Sequence, residues 1–255
     1  MLQEISNEIL SLKVSTKACE MHSLKRKDDD YEYLWNGDEK YWKGRNPILF
    51  PQVSSTSLKI NIINGKEYPM GNHGFARNSE FEFIKKENNS LTFLLKENDE
   101  TLKQYPYKFN LFVNYKLEEN NVIISYEIKN TDNVDLPFGF GLHPAFNVSK
   151  DFKDSYIIFD DKDKLVLSNE LFKEYPTYFV EPTPKKATLF SNNHRLSLEF
   201  PDFKYLAIWS PFAPFVCIEP WLIKGSKDGV DFTKREDTIT LKPNESYKIN
   251  YKITC

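Results

Sequence analysis

Apolar residues in this chain recur at every second position, and that period of two is what most restricts its fold. Phe109, Leu111, Val113, Tyr115 and Leu117 alternate with polar neighbours; Asn120-Asn121 intervenes, and Val122, Ile124, Tyr126 and Ile128 resume the pattern. Successive strand side chains point to opposite faces, so this segment predicts a hairpin with one buried and one wet face. Leu58, Ile60 and Ile62 run into Asn64-Gly65, a dipeptide that accepts the positive φ of a tight turn. Ile239 and Leu241 precede a turn at Lys242-Pro243-Asn244-Glu245, after which Tyr247, Ile249, Tyr251 and Ile253 alternate. Shorter strands are expected at 81–85, 91–96, 156–159, 164–168, 187–190, 195–200, 205–209 and 215–219. Helical signals are confined to one turn at Asp38–Trp42 and a short helix over 168–174 capped by Ser168. So many short strands exceed an immunoglobulin-sized sandwich. They predict an all-β fold, a large antiparallel β-sandwich with very little helix.

A chain of 255 residues removes most of its unfolded surface from water, so its core needs no disulfide or structural metal. No linker or repeat divides it, which predicts one domain over residues 1–255. Lys+Arg 34 against Asp+Glu 37 gives a net charge of −3, which leaves no basic stripe for nucleic acid. Cys19, Cys217 and Cys255 are odd in number and form no CxxC pair, the pattern of a reducing compartment. The opening MLQEISNEIL lacks the order of a secretory leader, and no apolar run approaches the ~20 residues of a membrane span. These features predict a cytoplasmic protein with no membrane or nucleic-acid partner.

Alternation by itself specifies no chemistry, so the informative residues are those it leaves unexplained. His73 lies in Gly71-Asn72-His73-Gly74-Phe75-Ala76-Arg77, and His143 in Phe138-Gly139-Phe140-Gly141-Leu142-His143-Pro144-Ala145-Phe146. A glycine follows His73 and an Arg comes four places later, while two glycines and a proline crowd His143, permitting close backbone approach or a sharp strand exit there. Glu219 ends the apolar run Phe215-Val216-Cys217-Ile218 and is followed by Pro220-Trp221. A carboxyl placed there is expected to be partly buried, which raises its pKa and suits it to act as a base near neutrality. The structural alternatives are a turn histidine, a satisfied core histidine and a strand-end carboxylate facing water. His22 and His194 stand among polar residues and read as surface groups. Separations of 70 and 76 residues between these groups match no local metal motif such as HExxH, although a site assembled in space stays open. No G-x-S-x-G elbow or phosphate-cradling glycine loop exists, and Cys217 sits where a thiolate is disfavoured.

At these three segments the sequence resembles the aldose 1-epimerase (galactose mutarotase) family, most closely its LacX-like branch. The motifs are Asn72-His73-Gly74-Phe75-Ala76-Arg77, Gly141-Leu142-His143-Pro144-Ala145-Phe146 and Cys217-Ile218-Glu219-Pro220-Trp221, supported by Tyr33-Leu34-Trp35-Asn36-Gly37 and Gly44-Arg45-Asn46-Pro47-Ile48-Leu49-Phe50-Pro51. They occur in family order from about residue 5 to the C-terminus. The resemblance implies the galactose mutarotase-like supersandwich and cofactor-free, metal-free interconversion of the α and β anomers of an aldohexose. It further implies Glu219 as base at the C1 hydroxyl, His143 as acid at the ring oxygen and His73 as a hydrogen-bonding partner near that oxygen. Arg77, Arg45 and Asn72 are expected at the sugar, with Trp209 and Trp221 as apolar platforms. The partner is a small sugar, and the protein is expected as a monomer or weak homodimer. The His-Gly-Phe-Ala-Arg signature equally resembles hexose-6-phosphate epimerases, and a non-catalytic carbohydrate-binding module is the rival of another class. The family's hydroxyl-binding aspartate has no local motif here. The N-terminal turn, where relatives carry Gly, reads Lys17-Ala18-Cys19-Glu20.

Overall fold

Two antiparallel sheets carry the fold in the computed structural model, which describes residues Met1–Cys255. The larger has nine strands in the order 163–166, 156–159, 186–191, 194–199, 246–254, 121–130, 109–118, 90–96 and 82–87. At its centre the alternating hairpin Phe109–Glu118 and Asn121–Asn130 pairs from Glu118↔Asn121 to Phe109↔Asn130. All nine alternating apolar side chains are buried. The turn falls on Glu119-Asn120, one residue earlier than expected, with Glu119 at φ +51°. Ser246–Thr254 joins this hairpin along Asn121–Asn130, whereas Ile239–Leu241 pairs with Leu136–Phe138.

The second sheet orders Thr177–Phe179, Tyr205–Trp209, Phe215–Trp221, Gly141–Leu142 and Ile48–Leu49, with Ala145–Asn147 also pairing with Phe215–Trp221. Residues of both sheets enter one core: Val113, Ile124 and Ile253 from the first, Val216, Ile218 and Leu206 from the second. That is the expected large antiparallel β-sandwich.

Several local expectations shift. A three-stranded sheet of Leu2–Ser6, Leu10–Ser15 and Met21–Arg26 was not anticipated; Leu10, Leu12 and Val14 alternate inward in a segment otherwise dominated by Ser, Lys and Glu. In the hairpin Ile60–Ile63/Lys66–Pro69 the buried face is Asn61 and Ile63, while Leu58 lies outside the strand and is exposed. Asn64 and Gly65 do take positive φ at its turn. The helix Asn169–Glu174 is capped by Ser168, whose hydroxyl accepts from the Leu171 amide (3.1 Å). A second helix, Asp99–Gln104, starts with a capping box between Asn98 and Thr101. His22 and His194 are both half-buried: burial and the Arg45 charge push His22 down to about 4, and His194 stacks on Tyr31 at 3.7 Å.

Ile124 is fully buried at the centre of the large sheet. Ile124→Ala is expected to cost about 2–5 kcal/mol of unfolding free energy, read from urea denaturation.

Candidate active site

The site grows from the outer face of Phe215–Trp221. This strand is buried along its whole length, but its two faces meet different surroundings. Val216 and Ile218 enter the main core. Phe215 and Cys217 join a separate small cluster with Trp35, Ala145 and Ala213, against which Trp42 and Trp209 pack. Alternation puts Glu219 and Trp221 on the same face as Phe215 and Cys217.

Register then supplies the imidazole. Gly141 pairs with Trp221 and Ala145 with Cys217, so His143, between them, lies opposite Glu219. Pro144 has no amide to donate, and the ladder is interrupted there; the Pro144 carbonyl still accepts from the Ile218 amide (3.2 Å). On the other side Glu219 faces Ala207. His143 Nε2 lies 3.4 Å from Glu219 Oε1. That separation is longer than a close hydrogen bond, so both groups keep capacity for a third partner.

His73 arrives from a loop. It takes φ +64°, and its amide donates to the Ser54 carbonyl (2.8 Å) while the Ser54 amide donates to His73 Nδ1 (3.0 Å). With Nδ1 accepting, the neutral ring carries its proton on Nε2. Gly74 follows at φ +73°, and a Cβ there would lie 2.1 Å from the Phe50 carbonyl oxygen, so this close approach requires glycine. The His73 and His143 rings meet edge to face with centroids 5.5 Å apart.

Glu219, His143 and His73 are 2%, 7% and 9% exposed, and burial sets their protonation. Desolvation raises the Glu219 carboxyl well above its ordinary value, opposed by the neighbouring Trp221 indole N–H, which makes no geometric hydrogen bond, and by the Arg77 charge. Desolvation lowers His143 well below 6.5, and His73 and Arg77 push the same way. His73 is pushed down to about 3 by burial and then Arg77. Both shifts favour the uncharged forms, a protonated Glu219 carboxyl beside a neutral His143 imidazole. In the free protein the lowered pKa disfavours an imidazolium at His143, because a cation is costly in that setting.

The other anticipated residues divide. Arg77 is half-buried and its charge acts on Glu219, His143, His73 and Glu20, so it belongs to the site. Trp209 lies edge-on to His143, centroids 5.4 Å apart. Trp221 is buried against Phe179 and forms wall rather than an open platform. Arg45 is half-buried, its guanidinium donating to the Trp35 carbonyl (3.4 Å) and its amide to Glu20 (3.0 Å). Asn72 is exposed in the turn before His73. Sequence reasoning missed Trp42, Ser54 and Glu20. Trp42 sits in a polar loop without alternation, and Ser54 contributes only its backbone. Glu20 follows the N-terminal turn, where Ala18 and Cys19 adopt φ +57° and +52° without glycine.

His143, Cys217 and Glu219 offer donor atoms within 4.8 Å of one another, the one grouping here that could hold a thiophilic cation. It lacks what orients a metal ligand: His143 Nδ1 is buried with no hydrogen-bond partner, and burial and Glu219 push the Cys217 thiol up. The arrangement suits proton exchange better than coordination. Because the folded pKa of Glu219 lies above its unfolded value, wild-type stability relative to Glu219→Gln is greatest at low pH and falls as pH rises. Measured by calorimetry, the melting temperature of Glu219→Gln relative to wild type is expected to rise as pH increases above the ordinary carboxylate range.

Among known proteins, Protein LacX (plasmid) of Lactococcus lactis subsp. lactis is 28% identical, over 98% of this chain and 98% of its own. The galactose mutarotase related enzyme from Lactobacillus acidophilus superposes with a TM-score of 0.93 at 29% identity, covering 100% of this chain and 97% of that one. A galactose mutarotase-like protein from Lactobacillus casei ATCC 334 gives 0.91 at 29% identity, covering 100% and 99%. The model of the family described as Aldose 1-epimerase matches residues 1–254. Matched along all but its last residue, the chain belongs to the aldose 1-epimerase family.

Proposed function

We propose that this protein interconverts the α and β anomers of an unphosphorylated aldohexose by general acid–base catalysis. The observation that carries the reading is the buried contact of His143 Nε2 with Glu219 Oε1 at 3.4 Å, a matched acid and base sharing one proton. Proton transfer from Glu219 to His143 converts the uncharged pair into carboxylate and imidazolium without changing the proton count. Arg77 supports the carboxylate.

In this mechanism Glu219 takes the proton of the C1 hydroxyl while His143 delivers one to the ring oxygen. The C1–O5 bond breaks as the C1 carbonyl forms. Rotation about C1–C2 presents the other carbonyl face, and the two transfers reverse. His73, with its proton on Nε2, donates toward the ring oxygen and steadies charge developing there. No electrons are exchanged, and protons are the only groups moved between enzyme and sugar.

The arginines favour a neutral substrate. Arg26 and Arg235 are engaged with Asp28 and Asp237, Arg45 with Trp35 and Arg195 is exposed on the large sheet. Arg77 alone acts on the three central groups, whereas a phosphate dianion calls for several cations. A non-catalytic sugar-binding module has no use for a buried carboxyl–imidazole pair that costs stability.

Polarimetry on freshly dissolved α-sugar tests this. Glu219→Gln and His143→Asn are each expected to slow mutarotation on the order of a hundredfold or more with the fold retained, and near-normal turnover in either removes its assigned role. Glucose is expected to turn over faster than glucose 6-phosphate in the same anomeric-exchange assay. The pH profile of kcat/KM is expected to be a bell: activity falls at high pH as the shared proton leaves and at low pH as a second one arrives. Burial raises Glu219 and lowers His143, so both limbs are displaced outward from the ordinary carboxylate and imidazole ranges. His143→Asn is expected to leave a single limb.

A further inference from the structure

Residues Asn36–Gly44 form a loop between two fixed ends that brings Trp42 against His143. At one end Trp35 is buried and its amide donates to the Ala145 carbonyl (3.0 Å). At the other, the Arg45 and Asn46 amides donate to the Glu20 carboxylate (3.0 and 3.1 Å). Between them the backbone is bonded mainly to itself, with the Tyr41 and Trp42 amides on the Asp38 carbonyl, and one tie runs from Trp35 Nε1 to the Trp42 carbonyl (2.8 Å). Asn36, Asp38, Glu39, Lys40, Tyr41 and Lys43 are exposed. Trp42 turns inward.

Its indole lies on His143, centroids 4.8 Å apart and planes 27° from parallel, and also meets Trp209 (5.6 Å) and Phe215 (5.8 Å). An aromatic face over His143 occupies the apolar position that a pyranose ring takes when it packs beside an acid. The same face attracts an imidazolium, so it favours the charged partner of the pair. Resting on the proposed epimerase reading, we infer that Trp42 covers the site: its indole shields His143 in the free protein, yields to the entering sugar and then packs against it as a positioning and specificity residue.

Gly44 provides a way to move the indole without deleting it. A Cβ at Gly44 would fall 2.4 Å from Trp42 Cζ2, an atom at the far end of a side chain that can swing aside. Gly44 is not among the glycines with positive φ, so alanine fits its backbone.

The experiment has one arm that needs no sugar. Carbethoxylation of His143 by diethyl pyrocarbonate, followed by peptide mass spectrometry, is expected to run about fivefold or more faster in Trp42→Ala and Gly44→Ala than in wild type, because the shield is gone. Trp42→Phe is expected to restore wild-type protection. Equal reactivity of His143 in wild type and Trp42→Ala overturns the cover. The second arm is kinetic: Trp42→Ala is expected to raise KM for the turned-over sugar about tenfold with a smaller change in kcat, and Trp42→Phe to recover most of it. An unchanged KM in Trp42→Ala overturns the sugar contact. If the wild type turns over no aldohexose, the epimerase reading and the sugar contact fall together, while the carbethoxylation arm still decides the cover.

Discussion

Alternation along Phe215–Trp221 sends Val216 and Ile218 into the main core and leaves Phe215, Cys217 and Glu219 on the opposite face. Everything at the site follows from that division. A slip of one residue would exchange the two sets and drive a carboxyl into the apolar centre, at a cost far above the few kcal/mol that separate most folds from their alternatives. The apolar neighbours thus hold Glu219 in place indirectly, by making any other register untenable. His143 inherits its position from the same strand through the pairs Gly141↔Trp221 and Ala145↔Cys217.

Burial gives this site its chemical character and its cost. A carboxyl and an imidazole kept almost dry prefer to be neutral, and they reach that state by holding one proton between them. Arg77 is the counterweight, stabilising a carboxylate and opposing a second cation nearby. Moving that proton from carboxyl to imidazole would leave the total charge of the pair unchanged, a property the proposed proton exchange draws on.

The large sheet was readable because its strands are half-buried and so alternate strictly, as Phe109–Leu117 and Val122–Ile128 do. Residue types at His73, His143 and Glu219 were readable as departures from that rhythm, and the resemblance grouped them. Other features left no trace in any local pattern. Trp42 approaches His143 across about a hundred residues of sequence, on a loop whose composition is simply polar. The contacts of Arg45 with Glu20 and Trp35 join segments distant in the sequence or local to a loop, and no motif announces them. The resting charge of His143 depends on the packing around it, which no residue-by-residue reading contains.

Ser54 serves His73 through its main chain alone, giving its amide to Nδ1 and its carbonyl to the His73 amide. The Ser54 hydroxyl therefore takes no part in setting the tautomer. Ser54 itself adopts φ +63°, a left-handed backbone that glycine and asparagine accept and β-branched residues resist. What position 54 must preserve is thus a shape of the main chain, and a substitution that straightened it would release the imidazole without touching any side-chain contact.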